Sequence, residues 1–158
     1  MMRKFIIIII LFIGLWACEK ERRARNPYLG EVPINLDVTE LDMLRYRLQS
    51  IGNSAFISQQ GLRGIFVTCY GEGRYLAWEA ACPNHSLDGC YSRLYSVKTP
   101  TEEANYELHD YTYVRCSCCH TVYSLTTGNP FVLGNIAKPY PLLNYRVSVS
   151  GSSLTISN

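Results

Sequence analysis

Five of the seven cysteines and two of the three histidines lie in two short segments, Ala81 to Cys90 and Arg115 to Thr121. Thiolate sulfur and imidazole nitrogen are the protein ligands of zinc and of iron–sulfur centres. Their density in two short segments predicts a metal centre. The sequence has no Gly-x-Ser-x-Gly elbow and no glycine-rich phosphate loop, so hydrolase and nucleotide chemistry has no local support.

Both Cys-rich segments follow stretches with the pattern of β-strands. Tyr75 to Ala80 precedes the first segment, and Tyr111 to Arg115 precedes the second. Each segment is therefore expected to form a loop at a strand end. Two such loops can meet and enclose a metal centre.

Turn residues divide much of the remaining chain into short apolar strands. Glycines on both sides of Glu72 mark one hairpin, and apolar residues alternate from Tyr145 to Ile156 around a second turn at Gly151. Many short strands with little helical periodicity predict an all-β sandwich or barrel. A chain of 158 residues is expected to form one domain.

One short helix is predicted after Thr39, which suits an N-cap. Leu41, Leu44 and Leu48 would then share one side of it. The basic residues Arg45 and Arg47 would equally suit a loop that covers the domain.

The order and spacing of the Cys-rich loops resemble those of Rieske iron–sulfur domains. Those domains carry Cys-x-His in one loop and Cys-x-x-His in a second, and some add one cysteine to each loop to form a disulfide. The resemblance runs from about Val32 to the C-terminus. It includes a strand and turn at Tyr123 to Gly128 and a proline-containing covering loop at Gly134 to Leu142.

This resemblance implies a Rieske-like small β-sandwich or barrel with two Cys-rich loops at one tip. It implies that Cys82 and Cys116 are metal ligands and that Cys90 and Cys118 form the disulfide. It also implies a [2Fe-2S] cluster as the cofactor.

The histidines are displaced from the Rieske pattern by one residue in each loop. Asn84 stands where the first histidine is expected, with His85 next to it, and Cys119 stands where the second is expected, with His120 next to it. In an extended chain one residue moves a side chain by about 3.3 Å and turns it to the other face. The histidines reach a shared centre only if both loops bulge.

Two ligand sets follow for a filled site. In the first, Cys82, His85, Cys116 and His120 hold a [2Fe-2S] cluster, with both histidines on the outer iron. In the second, Cys119 replaces His120, which gives a Cys₃His set with the spacing of structural zinc sites.

A third arrangement has no cluster. Cys82, Cys90, Cys116 and Cys118 form two disulfides or one zinc site within the same fold. Disulfides persist in an exported protein, where thiolate sites compete with oxidation.

The N-terminus has the layout of a secretory signal, with Arg3 and Lys4 followed by an apolar run from Phe5 to Trp16. The segment that ends at Cys18 resembles the lipobox of bacterial lipoproteins. We therefore expect a signal peptide at 1–17, an acylated Cys18 with a tether at 18–31, and the Rieske-like domain at 32–158. This predicts a cell-envelope protein, anchored to a membrane by lipid on the periplasmic or outer side.

The charge balance argues against a nucleic-acid partner. The chain has fifteen Lys and Arg residues and thirteen Asp and Glu residues, and removal of the signal peptide leaves thirteen of each sign. A nucleic-acid-binding domain needs clustered excess positive charge.

The leading functional hypothesis is a membrane-tethered one-electron carrier with a redox protein as partner and no autonomous catalytic site. The alternative is a Rieske-fold lipoprotein without a cluster, held by disulfides or a structural zinc, which serves as a binding or scaffold module.

Overall fold

A computed structural model describes residues 25–102 and 112–158. The predicted signal peptide, the acylated Cys18 and the first half of the tether, up to residue 24, lie outside these residues. The second half does not form a free tether, because Asn26 and Leu29 are buried and Asn26 Nδ2 donates to the Pro83 carbonyl at 2.8 Å. No helix in the two described ranges is long and apolar enough to cross a membrane.

Six antiparallel strands form the larger sheet, in the order β1-β10-β9-β4-β3-β2. The two predicted hairpins lie in it, β3 with β4 and β9 with β10, and Gly151 in the second turn has a φ of 58°. The strands are β1 (Asn35–Val38), β2 (Ser54–Ile57), β3 (Ile65–Gly71), β4 (Arg74–Glu79), β9 (Asn144–Ser150) and β10 (Ser153–Ser157).

Four short antiparallel strands form the smaller sheet, in the order β5-β6-β7-β8. They are β5 (Tyr95–Val97), β6 (Tyr113–Arg115), β7 (Val122–Ser124) and β8 (Pro130–Val132). This sheet is inserted in sequence between β4 and β9, which pair directly in the larger sheet. The prediction of an all-β domain is confirmed.

The one helix of the described residues, α1 (Glu40–Arg45), begins after Thr39 as predicted. Its predicted apolar side is wrong, because Leu41 and Leu44 are exposed while Met43 is buried. The helix ends before Arg47, which has a φ of 53°. This change of direction places Leu48 in the core independently of the helix.

Two main groups of buried side chains fill the domain. One lies on the larger sheet and includes Met43, Leu48 and Tyr145. The other includes Phe66 and Trp78 of the larger sheet together with apolar side chains of the smaller sheet. Cys82, Cys90, Cys116 and Cys119 belong to this second group, so the Cys-rich loops are anchored in the core.

Candidate metal centre

The first Cys-rich loop begins where β4 ends and leads to β5. Its Cys82-Pro83-Asn84-His85 stretch is a turn, in which the His85 N–H approaches the Cys82 carbonyl at 3.4 Å. The displacement expected for an extended chain therefore does not apply here. The turn brings the His85 side chain to the same centre as the Cys82 sulfur.

The second Cys-rich loop joins β6 to β7 and is also a turn. The His120 N–H donates to the Cys116 carbonyl at 3.0 Å, and His120 has a φ of 60°. Cys116 and Cys119 are buried within this turn, whereas His120 is exposed. The left-handed conformation of His120 ends the turn just beyond the buried Cys119.

Four donor atoms, from Cys82, His85, Cys116 and Cys119, lie within 4.8 Å of one another. The Cys82 and Cys119 sulfurs are 3.8 Å apart. His120, a ligand in the first predicted set, is not a member of this group. The structure thus assembles the Cys₃His group in which Cys119 stands in place of His120.

The three neighbouring thiols shift one another's pKa values through shared hydrogen bonds. Hydrogen bonds from the thiols of Cys116 and then Cys82 lower the pKa of Cys119. Hydrogen bonding with Cys116 and Cys119, together with burial, raises the pKa of the Cys82 thiol. The shared hydrogen bonds therefore favour negative charge at Cys119 over Cys82. A cation at the centre would be needed to stabilise three thiolates together.

The environment of the His85 ring is a second indication of a metal site, after the grouping of the donor atoms. Its Nε2 atom is buried and has no hydrogen-bond partner among the described residues. A buried polar atom without a partner is costly unless something outside the protein binds it. Three thiols and one imidazole suit either zinc or an iron–sulfur cluster, so the residues present fit a metal group.

Residues around the sulfurs hold the two loops against each other. Asn84 Nδ2 donates to the Tyr123 hydroxyl of β7 at 2.8 Å, and the same hydroxyl lies 4.0 Å from the Cys82 sulfur. Asn84 Oδ1 accepts the Tyr140 N–H at 2.8 Å. The Thr121 hydroxyl lies 3.2 Å from the Cys119 sulfur and donates to the Leu133 carbonyl.

The predicted covering loop closes over the second Cys-rich loop. The Asn135 N–H donates to the Cys119 carbonyl at 2.8 Å. Gly134, with a φ of 63°, packs so closely that a Cβ there would overlap the backbone between Cys119 and Thr121. This close approach explains why glycine is required at that point of the loop.

A disulfide joins Cys90 of the first loop to Cys118 of the second, in agreement with the pairing that the resemblance implied. Cys118 is exposed and Cys90 is buried. The disulfide links the two loops covalently beside the Cys₃His group.

Glu79, at the end of β4, holds the start of the first Cys-rich loop through hydrogen bonds. It was not identified as a functional residue from the sequence. Its fully buried carboxylate accepts N–H groups of Leu62 at 2.7 Å and of Arg63 and Ala81 at 2.9 Å, and the Tyr145 hydroxyl at 2.6 Å. Ala81 immediately precedes Cys82. A lone acidic residue between Trp78 and Ala80 was the available sequence signal.

No protein-family model matches the chain, and no curated protein matches it in sequence. A chain from the complex of reduced oxygenase and oxidized ferredoxin in carbazole 1,9a-dioxygenase is similar in structure. It has 16% identity and a TM-score of 0.45, over 78% of this chain and 93% of that one. The ferredoxin of carbazole 1,9a-dioxygenase from Nocardioides aromaticivorans IC177 has 17% identity and a TM-score of 0.44, over 80% and 97%. In its all-β architecture and its two meeting Cys-rich loops, the chain resembles Rieske-type domains.

Proposed function

We propose that this protein is a one-electron carrier that holds a [2Fe-2S] cluster with Cys82, His85, Cys116 and Cys119. The observation that carries the proposal is the convergence of three thiols and one imidazole within 4.8 Å. When bound, such a cluster takes up and releases one electron at a time. The proposal replaces one of the two Rieske histidines with Cys119.

The surrounding residues have distinct tasks in this proposal. His85 is half-buried and would form the edge of the site that a partner redox protein approaches. Tyr123 and Thr121 lie beside the Cys82 and Cys119 sulfurs, and hydrogen bonds to ligating sulfur tune the reduction potential. An additional thiolate in place of an imidazole adds negative charge and is expected to lower that potential.

The proposed location is the cell envelope. The N-terminal sequence supports a cleaved signal peptide at 1–17, acylation of Cys18 and a charged tether that ends where Asn26 and Leu29 pack into the domain. Dual acylation provides stable anchoring, because each buried methylene contributes about 0.8 kcal/mol. The Rieske-like domain at 32–158 would then face a redox partner at the membrane surface.

A structural zinc site is the second candidate, and one distance favours it. With zinc–sulfur bonds of about 2.3 Å, two sulfurs on one tetrahedral ion lie about 3.8 Å apart. The Cys82 and Cys119 sulfurs are separated by 3.8 Å. A protein with this centre would be a rigid binding or scaffold module of the envelope.

The deciding experiment is metal and acid-labile sulfide analysis of the full chain, purified without oxygen from cells supplied with iron and zinc. Two irons and two sulfides per chain, with a visible spectrum that bleaches on reduction, would support the carrier. One zinc without sulfide would replace it with the scaffold module. Cys69→Ser is the matched control, because Cys69 is a buried cysteine outside the metal-binding group and its loss should leave metal content unchanged.

A further inference from the structure

Cys116 belongs to two groups of sulfur atoms at once. Its sulfur lies within 4.8 Å of those of Cys82 and Cys119, and also within 4.8 Å of both sulfurs of the Cys90–Cys118 disulfide. A free thiol is thus placed beside a disulfide, which is the arrangement needed for thiol–disulfide exchange. Neither the metal site nor the disulfide alone requires this proximity.

We propose that Cys116 and the Cys90–Cys118 pair form a thiol–disulfide exchange site that opens when the metal centre is empty. The Cys116 thiol releases its proton to water and the resulting thiolate attacks the Cys90 sulfur, so that a Cys90–Cys116 bond forms and the Cys90–Cys118 bond breaks. The electron pair of the broken bond leaves on Cys118, which takes up a proton from water. One disulfide is consumed and one is formed, so no external oxidant or reductant is needed.

The difference in burial between the two disulfide cysteines sets the direction of attack. Cys90 is 6% exposed, whereas Cys118 lies on the exposed part of the turn with Ser117. A leaving thiolate at Cys118 is stabilised by water, while one at Cys90 would be desolvated. Exchange at Cys90 therefore places the new free thiol on the surface, where a small-molecule or protein disulfide can react with it.

The approach that exchange requires is short. The sulfurs must move from a separation of up to 4.8 Å to bonding distance. Ser117 and Cys118 are exposed, so movement confined to this part of the turn disturbs few packed side chains. The buried Cys90 sulfur can remain in place as the turn moves.

Metal occupancy controls the exchange in this scheme, and this part rests on the proposed function. When Cys116 ligates a metal, the sulfur lone pair that would attack the disulfide is bound to the metal, so the Cys90–Cys118 bond does not exchange. When the metal is lost, Cys116 is released beside the disulfide. The reactivity of Cys118 then reports whether the centre is filled.

The test uses the full chain in detergent, with its disulfide intact, under argon. Metal-loaded and chelator-treated samples are pulsed with N-ethylmaleimide, digested without reductant and mapped by mass spectrometry. The expected result is alkylated Cys118 together with a Cys90–Cys116 linked peptide in the metal-free sample, and loss of both signals in the loaded sample. An intact Cys90–Cys118 peptide as the sole product in metal-free protein would overturn the proposal.

Two variants separate exchange from simple loosening of the loops. Cys116→Ser lacks the attacking sulfur, so Cys118 alkylation should be lost even without metal; persistent labelling would overturn the exchange step. Cys82→Ser removes a proposed metal ligand outside the disulfide group, so labelling should occur even when metal is supplied. If wild-type protein labels at Cys118 equally with and without added metal, exchange stands and the proposed metal function fails.

Discussion

The Asn84 side-chain amide lies between Tyr123 and Tyr140, donating to the Tyr123 hydroxyl and accepting the Tyr140 N–H, each at 2.8 Å. Asn84 occupies the position at which the Rieske pattern has its first histidine. It joins the first Cys-rich loop to β7 and to the covering loop. The asparagine is a structural brace for the site, and the neighbouring His85 provides the donor atom.

Asn84→Ala is expected to destabilise the domain by about 1–3 kcal/mol, because it leaves the Tyr123 hydroxyl and the Tyr140 N–H without their partner. Urea unfolding measures the change. Asn35→Ala, at an exposed position of β1, is the control and should change stability by less than about 0.5 kcal/mol. Equal effects of the two substitutions would contradict the role assigned to Asn84.

Glu79→Gln is expected to cost at least about 2 kcal/mol of unfolding free energy. The amide keeps the size of the side chain but replaces one acceptor oxygen with a donor, which then faces N–H groups of the backbone. Tyr145→Phe, which removes only one of the four hydrogen bonds, should cost less. Thermal unfolding of both variants tests this order, and a larger loss for Tyr145→Phe would refute it.

The choice between Cys119 and His120 as the fourth ligand is testable with one pair of variants. Cys119→Ser should lose bound metal, because it removes a sulfur from the buried group. His120→Gly should retain it, because the exposed imidazole is outside the group and glycine suits a φ of 60°. Metal analysis after gel filtration is the measurement, and the reverse pattern would restore the His120 ligand set.

The N-terminal cap of α1 should make stability depend on pH in the acid range. Hydrogen bonds from the Thr39 hydroxyl and backbone lower the pKa of Asp42 below its ordinary value of 3.8. The ionised carboxylate therefore stabilises the fold above pH 3.8, and this contribution is lost as the pH falls through the lowered pKa. Thr39→Ala should move the Asp42 titration, followed by NMR, back toward 3.8; an unchanged midpoint would argue against the cap.

The sequence predicts the hairpins and the helix start well because their signals are local. The glycines around Glu72, the alternation that ends at Ile156 and the cap at Thr39 each act within a few residues. The side of α1 that packs was predicted wrongly, since Arg47 turns the chain and Leu48 reaches the core without the helix. Such a turn at a residue other than glycine has no clear sequence signature.

The fourth donor of the candidate site depends on backbone conformation that spacing does not reveal. His85 reaches the site because its segment is a turn, whereas the left-handed conformation of His120 ends the second turn beyond Cys119. The supporting contacts of Glu79 join residues far apart in sequence, from Leu62 to Tyr145. They arise only when β3, β4 and β9 of the larger sheet have come together.

Because β4 pairs directly with β9, the larger sheet is continuous without the segment that forms the smaller one. All four donor residues lie in the segment between β4 and β9. The part of this segment that leads back to β9 contacts Asn84 and Cys119. The domain thus consists of the larger sheet, which forms its base, and an inserted layer whose entry and exit converge on the sulfur group, and the two share the buried group around Phe66 and Trp78. Metal binding or loss at the centre should change how often the inserted layer opens locally, and should change the stability of the larger sheet much less. A change at the sulfur group can therefore alter the dynamics of one layer without unfolding the protein.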